Sequence, residues 1–301
     1  MKPRKDELEE FKRRIDLRSY AISCGYEMDA RASCRSSWVL SRKGDKVVVA
    51  QNTNGHWIFF SVRDHRDNGT ILDFIQNRDW MTMGEVRKIL RAWVPGEALP
   101  PIRQITTDRT RVISAYHQSE ECPLHPYLLE DRKIPESVLT DARFRGRIRK
   151  DGRRNAIFPH FDRTGVCGFE MKNRSFTGFS SGGEKGLWYS EVGMEGTLVI
   201  AESAIDALSY ETLFPNPGAR YVSTGGSLNP RQPDLLRGLM EKMGEGEVIL
   251  ALDHDPGGET LSRILSGIHA EAECPGLKLR IHQPEILGKD WNDVLRNNQK
   301  S

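Results

Sequence analysis

Apolar positions recur at helical spacing near the start of the chain. Leu8, Phe11 and Ile15, and then Leu17, Tyr20 and Ala21, lie three or four apart. The phase breaks at Asp16, a residue suited to cap a second short helix, and Gly25 stands where that helix would end. Short runs at 37–41, 46–51 and 56–61 then predict three strands, with Asn54 and Gly55 marking a hairpin between the last two. Two helices are predicted over 70–77 and 82–93, each with a Thr at its cap. Pro95, Gly96, Pro100 and Pro101 interrupt the pattern, so residues 95–118 read as a linker after a small α+β domain at 1–94. Beyond Ser119 the pattern predicts a helix over 126–141 and strands at 155–161 and 166–172 around a turn, followed by a Gly/Ser-rich loop at 177–186. Strands at 197–201, 221–223, 248–252 and 278–282 then alternate with helices at 203–213, 232–243 and 258–270. That alternation implies an α/β fold with a mostly parallel sheet flanked by helices, and such sheets carry functional residues at the carboxyl ends of their strands.

Composition narrows the classes. The chain has 301 residues, 38% of them hydrophobic and 29% charged, which suits a folded chain of two or more domains. No run approaches the roughly 18 apolar residues of a membrane span. The first residues lack the apolar stretch of a secretory signal, and five scattered cysteines make no disulfide scaffold, so a cytoplasmic setting without membrane attachment is expected. Net charge is +2, but residues 141–154 hold seven basic residues in fourteen.

Two strand ends carry acids. Glu202 follows the apolar strand at 197–201, with Asp206 one helical turn on; Asp253 and Asp255 follow a second apolar strand, and Gly257 and Gly258 open the next helix. Carboxylates gathered at one sheet edge repel unless a cation is present, and hard oxygen ligands suit Mg²⁺ or Mn²⁺. Phosphoryl transfer uses this arrangement. Each acid alone reads as a polar turn or helix start; the ordered combination is far more specific.

Residues 199–208 and 250–258 resemble the Toprim domain shared by bacterial primases, topoisomerases, small nucleases and recombination proteins. The resemblance implies that Glu202 is a general acid/base or metal ligand and that Asp253 and Asp255 bind Mg²⁺. Asp206 matches an acid common in primases, and Thr224, Gly225 and Gly226 match a loop between the two motifs. Gly288, Lys289, Asp290, Trp291, Asn292 and Asp293 resemble a late primase motif in which Asp290 is a further carboxylate. Upstream, Arg154, Asn155, Ala156, Ile157, Phe158 and Pro159, the turn Asp162 to Gly165, Gly168–Phe169, and Lys185, Gly186, Leu187 and Trp188 resemble the segment before Toprim in bacterial primases. The resemblance covers roughly 140–293. It implies a basic α+β primase-core subdomain at 119–192 and a Toprim domain at 193–301.

Alternating Arg143, Arg145, Arg147 and Arg149 would line one face of a strand as a phosphate track. Arg147, Arg153, Arg154, Lys172, Lys185 and Lys289 are the candidate contacts for template or triphosphate. In primases the N-terminal unit is a zinc ribbon. Here the stretch from His56 to Ile75 resembles its ending, but only Cys24, Cys34, His56 and His65 are available as ligands and no Cys–x–x–Cys occurs. That resembles the zinc-less relatives carried by plasmids and other mobile elements. Trp57 and Phe59 share a strand face, as core by default and as a base-stacking platform otherwise.

The resemblance thus implies a primase-like nucleotidyltransferase that uses Mg²⁺ or Mn²⁺, without zinc, to make primers on single-stranded DNA from nucleoside triphosphates. A Toprim nuclease and a non-catalytic nucleic-acid-binding module are the competing readings. No phosphate-binding helicase loop occurs, so unwinding would need a separate helicase or relaxase partner.

Overall fold

The computed structural model describes residues 4–64, 66–96, 99–101, 107–191 and 196–298, and the chain forms two compact units, Met1–Thr107 and Asp108–Ser301.

The first unit begins with α1 (Arg4–Arg14) and α2 (Leu17–Ser23), the second capped by Asp16, which accepts from the Arg18 amide. A five-stranded antiparallel meander follows: β1 (Glu27–Met28), β2 (Ser37–Arg42), β3 (Asp45–Gln51), β4 (Trp57–Ser61) and β5 (Asn68–Thr70). The β3–β4 hairpin closes through Asn52, whose side chain accepts from the amides of Asn54 and His56 while Gly55 takes φ +75°. α3 (Ile71–Asp79) and α4 (Met83–Ala92) each start with a capping box, Thr70 with Asp73 and Thr82 with Glu85. Trp57 and Phe59 are buried in this unit's core with Phe74, Ile75 and Leu90, so the stacking-platform alternative gives way to packing. Cys24, Cys34 and His56, the described residues that were available as zinc ligands, do not form a cluster that could hold a metal ion. His56 faces Glu9 and Arg13, and Cys34 lies by Ser36 and Ser37. His65 lies outside the described residues.

The second unit departs from the sequence pattern at its start. α5 (Arg109–Gln118) is a helix where a linker was expected; Asp108 caps it and Val112 is buried on the following sheet. The helix expected over 126–141 is broken into a π-turn at Tyr127–Asp131 and the short α6 (Glu136–Leu139). Lys133 at φ +59° and Pro135 separate them. Around them run β6 (Glu120–Glu121), β7 (Arg149–Lys150), β8 (Ala156–Asp162), β9 (Gly165–Lys172) and β10 (Thr177–Phe179), an antiparallel sheet in the order β10–β9–β8–β7–β6. Then come β11 (Trp188–Tyr189), β12 (Thr197–Ala201), α7 (Ala204–Leu213), β13 (Ala219–Ser223), α8 (Gln232–Met243), β14 (Glu245–Ala251), α9 (Pro256–Glu271), β15 (Gly276–His282) and α10 (Trp291–Asn298).

These last strands form a sheet in the order β11–β13–β12–β14–β15, parallel except for β11. The parallel strands β12 and β14 are near-continuous apolar runs because helices cover both faces. One face packs against α8 and α9 through Leu236, Met240, Leu265 and Ile268. The other shares a core with the upstream segment, where Phe144, Phe158, Trp188, Val199 and Tyr221 are buried together. Residues on either side of position 193 therefore contribute to one core rather than two.

Candidate metal centre and its basic rim

β12 and β14 are adjacent and in register, Ala201 beside Ala251, so their carboxyl ends deliver Glu202 and Asp253 to one edge. Each strand turns at once into a helix. Ser203 caps α7 and donates from Oγ to Asp206 Oδ2 (2.5 Å), fixing that carboxylate in the first turn. Asp255 caps α9 by accepting from the Gly258 amide (2.8 Å). Gly258 has to be glycine, since a Cβ there would stand 2.0 Å from the Asp253 carbonyl and 3.1 Å from Glu202 Oε1. The late motif arrives by backbone pairing across the same edge. The His254 amide donates to the Lys289 carbonyl (3.0 Å), the Gly288 amide to the His254 carbonyl (2.6 Å), and Gln283 Nε2 to the Asp253 carbonyl (3.0 Å). Asp290 follows and accepts from the Asp293 amide (2.5 Å). The Asn292 amide lies 3.4 Å from Asp206 Oδ1, and its side chain donates to Ser209 Oγ and the Arg132 carbonyl.

The electrostatics are those of an uncompensated acidic cluster. Burial, then Asp255 and Asp206, push Glu202 up to about 7. Burial and Asp290 raise Asp206 to about 6, against a lowering pull from Ser203 and Lys172. Burial, with Asp206 and Glu202 next, raises Asp253 to about 9. Glu202 Oε1 and Asp253 Oδ1 are enclosed and have no hydrogen-bond partner. Two orphaned, buried carboxylate oxygens on neighbouring strand ends are donors suited to a hard divalent cation, so this residue set fits Mg²⁺ or Mn²⁺. Among the described residues no three acidic, His or Cys side chains are already drawn together as ligands of one ion.

The basic candidates fall into three groups. Lys172 and Lys185 connect to the acidic edge. Lys172 pairs with Glu170 (3.0 Å) and acts electrostatically on Asp206; Lys185 Nζ donates to the Gly225 carbonyl (2.8 Å), and burial lowers its pKa. Gly225 and Gly226 have φ of +68° and +85°, and the Gly226 amide donates to the Glu202 carbonyl (2.9 Å), so this turn joins Lys185 to the acid strand. Lys289 reaches Asp293 (3.0 Å) beside Asp290. Arg153 and Arg154 are exposed on the β7–β8 loop and join no acid of the cluster.

The arginine stripe does not form. Residues 142–144 make a 3₁₀ turn, and only Arg149 and Lys150 are in strand. Arg143 is bound to Asp141 and Glu211, and Arg149 to Ser119. Arg147 is 8% exposed, pairs with Glu191 and stacks on the rings of Phe161 and Tyr189 (4.5 and 4.7 Å). These guanidiniums brace the fold instead of presenting a phosphate track.

Sequence reasoning missed a buried network behind Lys172. His160 is fully enclosed, with Nδ1 donating to the Gly186 carbonyl (2.9 Å) and Nε2 facing Glu170 Oε1 (3.1 Å). Burial would raise Glu170, but His160 and Lys172 outweigh it and hold it down at about 2. A Cβ on Gly225 would lie 2.8 Å from His160 Cε1, so the network also packs under the turn that touches Glu202. The available signal was a charged residue on each of two neighbouring apolar strands, at a diagonal cross-strand position.

Comparison with known proteins gives the following. Residues 199–295 match the model of the Toprim-like family, and residues 126–195 match that of a family described as proteins of unknown function, DUF3991. Curated proteins gave no match. Among solved structures, the chain is similar to the primase fragment of the bacteriophage T7 primase-helicase protein, with 17% identity and a TM-score of 0.36 over 56% of this chain and 68% of that one. It is also similar to a chain in the structure of the bacteriophage T7 lagging-strand DNA polymerase interacting with primase domains bound to an RNA/DNA hybrid and dTTP, with 19% identity and a TM-score of 0.37 over 56% of this chain and 84% of that one. Among the described residues no helix is long and apolar enough to cross a membrane.

Proposed function

We propose that this chain, which carries a Toprim-like domain at residues 199–295, is a primase-like nucleotidyltransferase that extends a 3′-hydroxyl on a single-stranded DNA template by attack on the α-phosphate of a nucleoside triphosphate, with pyrophosphate leaving. The observation that carries the reading is the pair of enclosed, unpartnered oxygens, Glu202 Oε1 and Asp253 Oδ1, within a cluster of carboxylates. Glu202, Asp253, Asp255 and Asp290 would hold Mg²⁺ or Mn²⁺. When bound, such ions draw the attacking hydroxyl toward its alkoxide and offset charge on the phosphate oxygens. Asp206 is tied to Ser203 and the Asn292 amide, and so sets the position of α7 and α10 around the other acids. Lys172 and Lys185 offer positive charge to the triphosphate, and the Gly225 turn keeps Lys185 close to Glu202. The setting we infer is cytoplasmic replication or transfer of a mobile element, with a helicase or relaxase on a separate chain.

A primer-synthesis assay tests this. The protein is incubated with mixed-sequence single-stranded DNA, labelled ribo- and deoxynucleotides and Mg²⁺ or Mn²⁺, beside the Asp253→Ala/Asp255→Ala variant. New oligonucleotides from the wild type alone support the proposal. Metal-dependent shortening of the template by the wild type alone assigns the same acids to a nuclease. Template binding without reaction assigns the chain to a binding module.

A further inference from the structure

The sheet built from β6 to β10 has two faces with different occupants. Ala156 and Phe158 look into the core shared with the parallel sheet, and alternation puts His160, Glu170 and Lys172 on that side. Ile157, Phe169 and Met171 look the other way, and Val112 of α5 packs on them. Beside α5 on this second face is a cavity of about 510 Å³ with those three side chains in its floor. Ligand sites span roughly 300–1,000 Å³.

The rim of this cavity carries chemistry that the acid centre leaves unused. Arg111 and Arg153 line it, both exposed, and among the described residues neither guanidinium is paired with a carboxylate. One acid, Asp151, is among the described lining residues, and its oxygens already accept from the amides of Arg153 and Asn155 and from the Asn155 side chain. Phe176 is 45% exposed, yet its ring is seated against Gly178, where a Cβ would come within 2.5 Å of it. The ring is thus exposed and lies over a residue with no side chain to cover it.

We propose that this cavity is a second nucleotide subsite, on the face of the sheet turned away from Lys172. Phe176 and the apolar floor take the base and sugar, and Arg111 and Arg153 take the phosphate. The ligand is a nucleoside phosphate, either free or as one unit of a single strand. The inference goes beyond the reaction at the acids and holds whether they synthesise or cleave.

Binding is measured on the full chain in EDTA, so that no ion bridges the acids to phosphate, with fluorescein-labelled oligothymidylate and with ATP as probes. Arg111→Ala/Arg153→Ala is expected to weaken binding at least tenfold, and with the strand to lower the slope of log K against log salt by about 1.4, from two contacts at about 0.7 each. Phe176→Ala is expected to cost about fivefold or more. Loss with both probes assigns the subsite to free nucleotide as well as strand; loss with the oligonucleotide alone assigns it to the strand. Affinities within twofold of wild type in both variants, or no binding of either probe by the wild type, would overturn the proposal. None of these outcomes depends on primer synthesis.

Discussion

Glu170, buried, and Asp253, half-buried, are two carboxylates in the same unit, and their surroundings drive them in opposite directions. Burial works against ionisation at both. Glu170 is nevertheless held at about 2, because His160 and Lys172 meet its two oxygens at 3.1 and 3.0 Å. Asp253 is driven up to about 9, because its near neighbours are Asp206, Glu202, Asp290 and Asp255. A buried charge needs a counter-charge within a few ångströms. On β9 the chain supplies its own, and the paired charges pack under the Gly225 turn. At the ends of β12 and β14 it supplies more acid, and an enclosed oxygen on each of Glu202 and Asp253 is left unpartnered. The first site is complete as a structural device, whereas the second, on the proposed reading, would be completed by a cation.

The largest test of that contrast is at Asp253. Asp253→Asn should abolish metal-dependent turnover by about 10⁴-fold, more than 5 kcal/mol of barrier, while raising the melting temperature measured in EDTA. A variant that is both inactive and less stable in EDTA would falsify the claim that this carboxylate is strained without a cation. Glu170→Ala should do the reverse. It strands Lys172 and His160 and should cost about 3–5 kcal/mol in urea unfolding, whether or not metal is present. A loss under 1 kcal/mol would mean the network is not the brace described here.

Arg147→Ala should cost about 1–3 kcal/mol through lost packing on Phe161 and Tyr189, yet leave oligonucleotide affinity at its wild-type value. A fall in affinity at unchanged stability would return Arg147 to the phosphate track. The gentlest test is a slope. In EDTA the folded state holds protons on Asp253 and Glu202 that the unfolded chain releases near pH 4, so ν for the native state exceeds that of the unfolded state. Stability should therefore fall as pH rises from about 4 towards 9, by up to about 1.4 kcal/mol per pH unit for each proton. Saturating Mn²⁺ should flatten the curve, and Asp253→Asn should flatten it in EDTA. Curves of equal slope for wild type and variant would remove the electrostatic basis of the comparison.

Much of this arrangement was legible along the chain because it is local. Strand ends followed directly by helix caps placed Glu202, Asp206, Asp253 and Asp255, and each cap forms through a backbone amide three residues away. The strand–helix alternation was legible for the same reason, since apolar period and length report burial on both faces. What failed lies within 109–154. The prolines at 95, 100 and 101 suggest a linker extending through α5, and alternating arginines suggest a strand, but α5 forms, and Pro135, the left-handed Lys133 and the partners Asp141, Glu211 and Glu191 break the period and pull the guanidiniums inward. Charge spacing in sequence carries no information about where an opposite charge waits in space.

The sequence by itself determined the strand–helix alternation from β12 to β15 and the acids at the strand ends, because apolar period and helix caps depend on neighbours within a few residues. Only the tertiary structure decided which charges are compensated. His160 meets Glu170 across a strand pair, Lys185 meets the Gly225 turn forty residues on, and the 288–290 segment meets His254 by backbone pairing. In each case the deciding distance is through space at low dielectric, where an ångström outweighs any separation along the chain.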